Sequence, residues 1–183
     1  MVQMKYLVGV DGSRFSMHAV KEAARLLHSG DAIWLAYVSP LHVSVEYVGP
    51  YPGTDGMFLT HDKVSPPTEE DRDRAKSVLA KARDVLLDNL QSGVDSKDIA
   101  IDLIMKQGHA KEALEELSIE FNVDTIVVGS RGLGAVKRMV IGSVSDYLVH
   151  HAPCHVFIVR DVHVVHDGSD PESGARIIDK KAS

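Results

Sequence analysis

Five short apolar runs alternate along the chain with segments in which apolar residues recur every three or four positions. The runs cover residues 6–10, 32–38, 99–105, 125–128 and 155–159. Continuous apolar runs of this length are typical of strands that are buried on both faces of a parallel sheet. Strands that alternate with helices are joined by right-handed crossovers, which place helices on both faces. The pattern therefore predicts an α/β fold, with an open sheet of five parallel strands between two layers of helices.

Polar residues and glycines predict where the first two helices begin and end. Ser16 is the expected N-cap of the first helix, and Gly30 is its expected end. Thr68 is the expected N-cap of the second helix, because three acidic residues follow it in what would be the first turn. That helix should end near Gly93.

Two segments lack a periodic pattern. Residues 39–67 are rich in Pro, Gly, Tyr and Asp, which predicts a long loop inserted into one domain that spans residues 1–160. No second core is visible, so this loop is not a domain boundary. Residues 161–183 are polar and show no compact pattern, which predicts a flexible tail.

The composition excludes several classes of protein. There are 20 Lys and Arg residues against 26 Asp and Glu, a formal charge of -6 that argues against general nucleic-acid binding. Apolar runs fall well short of the ~20 residues that a membrane helix needs. Cys154 is the only cysteine, so an internal disulfide is impossible and a reducing compartment fits. We therefore expect a cytoplasmic protein that binds neither nucleic acid nor membrane.

The fourth apolar run ends in a glycine-rich stretch, residues 129–143, that carries Arg131, Lys137 and Arg138. A strand, a glycine loop and a helix start form the layout of a phosphate cradle, because glycines let backbone N–H groups approach an anion closely. The stretch lacks the G-x-x-x-x-G-K-[S/T] spacing of P-loop NTPases. It also follows the fourth run instead of the first, which argues against a dinucleotide fingerprint.

A second candidate loop, Asp11-Gly12-Ser13, follows the first apolar run. In open parallel sheets, ligands bind at the carboxyl ends of the strands where the strand order reverses. If the first strand is central and the second and fourth flank it, this turn and the glycine stretch meet at that point. A carboxylate suits ribose hydroxyls, whereas amide donors and cations suit phosphates. The two loops together predict a nucleotide site.

The spacing inside the glycine stretch is G-x-x-G, nine residues, then G-[S/T], formed by Gly129, Gly132, Gly142 and Ser143. This spacing resembles the ATP-binding motif of the universal stress protein family. The similarity extends over residues 8–13, 124–132, 142–145, 151–154 and 156–160, and so covers roughly residues 4–160.

The resemblance implies a single-domain, Rossmann-like sheet in the strand order 3-2-1-4-5, with bound ATP and possible Mg²⁺. Phosphates would lie on the glycine stretch, ribose near Asp11 and adenine against Val38. The implied nucleotide-binding residues are Val10, Asp11, Gly12, Ser13, Val38, Gly129, Ser130, Arg131, Gly132, Gly142, Ser143, Val144 and Ser145. The resemblance also implies a homodimer through the fifth strand, residues 156–159, which agrees with the need to cover an apolar edge strand.

Three functions remain open. The leading hypothesis is a stress-response protein in which ATP is a structural or regulatory ligand. Paired carboxylates or a Ser-His-Asp triad cannot be assembled, so no catalytic residue is assigned, and an enzyme would be at most a slow ATP hydrolase or a phosphotransferase. A module that binds AMP or cyclic AMP is the third. No metal site is expected, since His150 and His151 would point about 100° apart on a helix.

Overall fold

The computed structural model describes residues 3–50, 58–132 and 141–160, with the backbone alone for residues 45–50 and 58–62. The described residues form seven strands: β1 (Lys5–Val10), β2 (Ala32–Ser39), β3 (His42–Pro50), β4 (Phe58–Ser65), β5 (Ala100–Gln107), β6 (Thr125–Gly129) and β7 (His155–Val159). Four helices accompany them: α1 (Arg14–Ala24), α2 (Glu69–Asp88), α3 (Ala110–Glu120) and α4 (Ser143–His151). A 3-10 turn, Ser96–Asp98, precedes β5.

Five of the strands form one parallel sheet in the order β5-β2-β1-β6-β7. Counted among these five strands alone, this order is the predicted 3-2-1-4-5; β3 and β4 form a separate sheet, which shifts the numbering along the chain. The bounds of the five strands lie within two residues of the predicted ones. The α/β class and the parallel sheet are therefore confirmed.

Alternation along the strands divides the core into two layers. Val8 and Leu35 point to one face, where they pack with Val20 of α1 and Leu79 of α2. On the opposite face, a second cluster joins the sheet to α3 and α4. The members of that cluster with the least exposure are Leu7, Ala36, Ile126 and Leu148. Both faces of the sheet are thus covered, as continuous apolar strands require.

The predicted N-cap of the first helix is wrong by one turn. Ser13 is the N-cap, and its Oγ accepts a hydrogen bond from the backbone N–H of Ser16 at 3.2 Å. The Ser16 hydroxyl lies inside the helix and donates back to the carbonyl of Ser13 at 3.0 Å. Both serines could serve as the N-cap, and the structure uses Ser13, which lies nearer the end of β1. The helix also ends at Ala24, well before Gly30.

The prediction for the start of the second helix is confirmed. Thr68 is the N-cap of α2, and it forms a reciprocal capping box with Asp71. The helix ends at Asp88, one turn before the predicted Gly93. Asn89 occupies the C-cap position, where its side-chain amide donates to the carbonyl of Val85 at 2.8 Å.

The prediction of a long loop over residues 39–67 is wrong, because β3 and β4 pair there as an antiparallel hairpin. The sequence of β3 alternates Val43, Val45 and Tyr47 with polar residues, which is a strand pattern that the nearby prolines and glycines obscured. Two contacts tie the base of the hairpin to the main body. The Gln107 Nε2 donates to the Ser65 carbonyl at 3.0 Å, and Nε2–H of His42 on β3 donates to Oδ2 of Asp71 on α2 at 2.6 Å.

Three predictions lie outside the described residues: the flexible tail over residues 161–183, and the roles of Lys137 and Arg138. Within the described part of the chain, no helix is both long and apolar enough to cross a membrane.

Candidate functional site

A cavity of about 340 Å³ opens at the carboxyl edge of the parallel sheet. Its floor is formed by the ends of β1, β2 and β6, and its walls by the first turns of α3 and α4. The strand order reverses around β1 here, since the chain runs from β1 to β2 on one side and returns to β6 on the other. Ligands of open α/β sheets bind in a crevice of this kind.

Most of the residues predicted for the site line this cavity: Val10, Asp11, Val38, Gly129, Arg131, Gly132, Gly142, Ser143, Val144 and Ser145. The other three do not line it. Gly12 turns the chain in a left-handed conformation with φ of 85°, and a Cβ there would lie 3.1 Å from the side chain of Val78. Ser13 caps α1, and Ser130 is buried, with backbone hydrogen bonds to Val159 and Gly142. These three residues hold the walls in place.

The Asp11 turn has a fixed geometry. The Oδ1 atom of Asp11 accepts a hydrogen bond from the backbone N–H of Ser13 at 2.9 Å, and the backbone N–H of Asp11 donates to Ser16 Oγ at 3.3 Å. A short side chain that bonds to the backbone two residues later is an Asx-turn. The turn therefore presents the second carboxylate oxygen in one direction, at the edge of the cavity.

The described ends of the glycine loop are joined by hydrogen bonds. The N–H of Gly142 donates to the carbonyl of Ser130 at 2.7 Å, and the N–H of Ser130 donates to the carbonyl of Val159 at 2.7 Å. The hydroxyl of Ser145 donates to the carbonyl of Gly129 at 2.7 Å. These bonds place the first turn of α4 directly beside the end of β6, and so bring together the two halves of a motif that are separated by nine residues.

Two glycines of the loop lie where a side chain would collide with a neighbour. A Cβ on Gly129 would lie 2.8 Å from the backbone carbon and oxygen of Phe15, at the start of α1. A Cβ on Gly132 would lie 2.8 Å from Oδ2 of Asp11. Because Gly129 has no side chain, the end of β6 can lie this close to the backbone of α1. The second contact shows that the glycine loop and the Asp11 turn touch at the rim of the cavity.

The positive ends of two helices face the cavity. Ser143, Val144 and Ser145 form the first turn of α4, and the N-cap Gly142 has no side chain that could bond to their N–H groups. The N-cap of α3, His109, also makes no side-chain cap hydrogen bond, and the next residue, Ala110, lines the cavity. Helix N-termini attract anions through these N–H groups and through the helix dipole. Arg131 adds a cation, 5.8 Å from the centre of the Phe15 ring.

Sequence reasoning missed several lining residues: Gly9, Ser16, Ala36, Ala110, Leu114 and Val128. Ala36 could have been found, because it lies two residues before Val38 and so shares its face of the strand. Ala110 and Leu114 could not, since periodicity does not reveal which helix covers which end of the sheet. A Cβ on Gly9 would lie 2.9 Å from the side chain of Leu114, so Gly9 lets α3 pack close to β1.

Other reactive groups among the described residues do not join this site. No group of three or more His, Cys, Asp and Glu residues in the described ranges could hold a metal ion. Burial raises the pKa of the Cys154 thiol above its ordinary value, which favours the unreactive protonated form.

A family model described as the universal stress protein family matches residues 4–160. The chain belongs to the universal stress protein family. Among its curated relatives in this family, the universal stress protein PHOS34 of Arabidopsis thaliana is 34% identical, over 84% of this chain and 60% of its own length. A putative universal stress protein of Staphylococcus haemolyticus is 45% identical over 53 residues, which are 29% of this chain and 32% of that protein. The chain thus spans less than two thirds of the length of these two relatives.

Solved structures of the family share the fold. A universal stress protein in complex with cAMP has a TM-score of 0.57 at 20% identity, over 87% of this chain and 98% of its own. UspA from Lactobacillus plantarum has a TM-score of 0.53 at 22% identity, over 87% of this chain and all of its own. A family protein from Arabidopsis thaliana with AMP bound has a TM-score of 0.50 at 22% identity, over 86% of this chain and 91% of its own. At these identities the likeness shows the fold.

Proposed function

We propose that the cavity binds ATP, and that the nucleotide acts as a structural or regulatory ligand in a stress response. One observation carries this proposal: a single cavity joins a fixed carboxylate, an apolar wall, a glycine loop and two helix N-termini without side-chain caps. Its volume of about 340 Å³ is in the range of small-molecule sites, roughly 300–1,000 Å³. A nucleotide uses all four of these features.

Each part of the cavity suits one part of the nucleotide. Ala36, Val38 and Leu114 supply an apolar surface for the base. The Asp11 carboxylate can accept hydrogen bonds from ribose hydroxyls. The N–H groups at Gly132 and at the start of α4 suit the phosphates. Among the described lining residues, Asp11 carries the one carboxylate; a Mg²⁺ that arrives with a triphosphate often needs only one or two.

Related structures support an adenine nucleotide but leave the number of phosphates to experiment. One of the solved relatives holds cAMP and another holds AMP. In this chain, two helix N-termini and Arg131 lie at the cavity, and Glu112 and Asp146 offset part of their positive charge. ATP is proposed because several phosphates would use more of these N–H donors than one phosphate does. AMP or cyclic AMP would still satisfy the base and ribose positions.

The test is to identify and then measure the ligand. The purified protein is extracted with acid, the extract is examined by mass spectrometry, and stripped protein is titrated calorimetrically with ATP, AMP and cyclic AMP. We expect ATP to bind most tightly and to be recovered intact after hours. No heat with any of the three at millimolar concentration would refute the nucleotide site. If the protein hydrolyses many ATP molecules per site, it is an ATP hydrolase, and the proposed structural or regulatory role of ATP is wrong.

We also propose a homodimer through β7. Among the described strands, β7 is an edge of the parallel sheet, and no described strand pairs with its outer side. Phe157 on this strand is 41% exposed. A second copy of the same edge would cover both the backbone groups and this ring.

A further inference from the structure

The two helices that supply the N-termini of the cavity are joined by a hydrogen bond between their side chains. The hydroxyl of Tyr147 on α4 donates to Oε2 of Glu115 on α3, at 2.7 Å. The bond bridges the outer side of the α3–α4 layer, since both residues are only partly buried. Hydrogen bonds to a charged acceptor are stronger and shorter than neutral ones. We name this bond the Tyr147–Glu115 clamp.

Neighbouring side chains hold the phenol ring of the clamp in place. The Lys111 ammonium lies 4.9 Å from the centre of the Tyr147 ring. The His151 ring stacks on it with centres 4.0 Å apart and planes within 6° of parallel. Nδ1–H of His151 donates to the backbone carbonyl of Tyr147 at 2.8 Å, which fixes the imidazole. The hydrogen bond to Glu115 also raises the pKa of Tyr147, so its hydroxyl remains a donor at neutral pH.

The clamp lies at nearly the same depth below both N-termini. Glu115 follows Ala110, the first residue of α3, by five positions, and Tyr147 follows Ser143, the first residue of α4, by four. At about 1.5 Å of rise per residue, these distances are about 7.5 Å and 6 Å along the helices. The bond therefore joins α3 and α4 within two turns of the helix starts that line the cavity.

We propose that the Tyr147–Glu115 clamp sets the separation of the α3 and α4 N-termini, and so makes Tyr147 a positioning residue for the phosphates of the nucleotide. The inference rests on the proposed function. Interactions with phosphates depend on the placement of N–H donors to within about an ångström, whereas an apolar base pocket tolerates small shifts. Loss of the clamp should therefore weaken the binding of a nucleotide more, the more phosphates the nucleotide carries.

The test compares the affinities of ATP, AMP and adenosine in the unmodified protein and in four variants. Tyr147→Phe removes only the hydroxyl, and it should weaken ATP binding about fivefold with adenosine unchanged to within about twofold. Glu115→Gln keeps an acceptor oxygen, so it should bind ATP nearly as the unmodified protein does. Tyr6→Phe is the matched control, because the Tyr6 hydroxyl bonds to the Leu26 carbonyl at 3.5 Å on the opposite face of the sheet. It should leave the ratio of ATP to adenosine affinity unchanged.

The outcomes separate this inference from the proposed function. If the unmodified protein binds no nucleotide, the proposed function fails and the inference falls with it. If the unmodified protein binds ATP and Tyr147→Phe binds it equally well, the inference alone is refuted. An equal loss for ATP and adenosine would also refute it, since a general structural role predicts that result. Glu115→Leu reaches the clamp from the other helix and should reproduce the effect of Tyr147→Phe.

Discussion

Substitution of Gly142 by Asp should stabilise the protein and at the same time destroy its nucleotide site. Gly142 is the N-cap of α4 and has φ of -78° and ψ of 157°, an extended conformation that any residue adopts. A Cβ there would lie 3.4 Å from Arg131 Cα and 3.4 Å from the Ser130 carbonyl oxygen, which are ordinary contacts. The fold therefore accepts a side chain at this position.

The two effects have different sizes. An Asp at the N-cap accepts a hydrogen bond from the first turn and interacts with the helix dipole, which should raise the free energy of unfolding by about 0.5 kcal/mol. The same carboxylate takes up N–H donors that would hold phosphate. It also places a negative charge about 5 Å from the phosphates, a repulsion of about 3 kcal/mol at an effective dielectric constant of 20. ATP should therefore bind about a hundredfold more weakly.

The assay pairs thermal unfolding of the nucleotide-free protein with calorimetric titration of ATP. Gly142→Ser is the matched control, because it supplies a neutral cap at the same position and should weaken ATP less than Asp does. If Gly142→Asp binds ATP within about twofold of the unmodified protein, the phosphates do not lie at the start of α4. In that event the assignment of the cavity would be wrong.

Three further predictions concern other parts of the molecule. Gly129→Ala should lower the free energy of unfolding by about 1–3 kcal/mol, measured by denaturant titration, because its Cβ would meet the backbone of Phe15 at 2.8 Å; equal stability would show that α1 can move away. Hydrogen bonds from Thr68 and from His42 lower the pKa of Asp71 to about 2, so this carboxylate stabilises the fold above its ordinary pKa and stops doing so as the pH falls from about 4 to about 2. Asp71→Asn should lower the melting temperature at pH 7. As the pH falls from about 4 to about 2, the melting temperature of this variant should fall less than that of the unmodified protein. If the two plots of melting temperature against pH are parallel, Asp71 does not carry this pH dependence. Phe157→Glu should yield monomers in sedimentation experiments, and a dimer that persists would place the interface elsewhere.

The carboxylate of Asp71, which carries this pH dependence, also accepts the hydrogen bond that joins β3 to α2. Nε2–H of His42 donates to Oδ2 of Asp71 at 2.6 Å, and the same oxygen accepts from the backbone N–H of Thr68 at 2.8 Å. One carboxylate therefore completes the capping box of α2 and anchors the hairpin. Because of this double role, its protonation should loosen both elements together.

The parallel sheet was predictable because its physical cause is local. A strand buried on both faces must be apolar without interruption, and runs such as residues 6–10 show this directly. The order of the strands depends on packing between distant segments, so it came from the resemblance and not from periodicity. The N-cap of α1 was missed because Ser13 and Ser16 are chemically equal candidates, and only the position of the strand end decides between them.

The candidate site was predictable to the extent that it is built from turns. Asp11 follows β1, Gly129 ends β6 and Gly142 precedes α4, and their spacing is visible in the sequence. The wall that α3 contributes was not predictable, because Leu114 belongs to an ordinary helical stripe and reaches the cavity only through tertiary packing. The hairpin was missed because its prolines and glycines outweighed a short strand pattern.

The hairpin has a consequence for how this part of the chain can vary. The pairing of β2 with β5 continues to Ser39 and Gln107, and β3 begins only three residues later, at His42. The main sheet thus completes its hydrogen bonds without any contribution from the hairpin strands. Changes of length or sequence between β3 and β4 would leave the register of the main sheet intact. The hairpin begins four residues after Val38, a lining residue of the cavity, so the chain can vary close in sequence to the site without a change in the sheet that carries it.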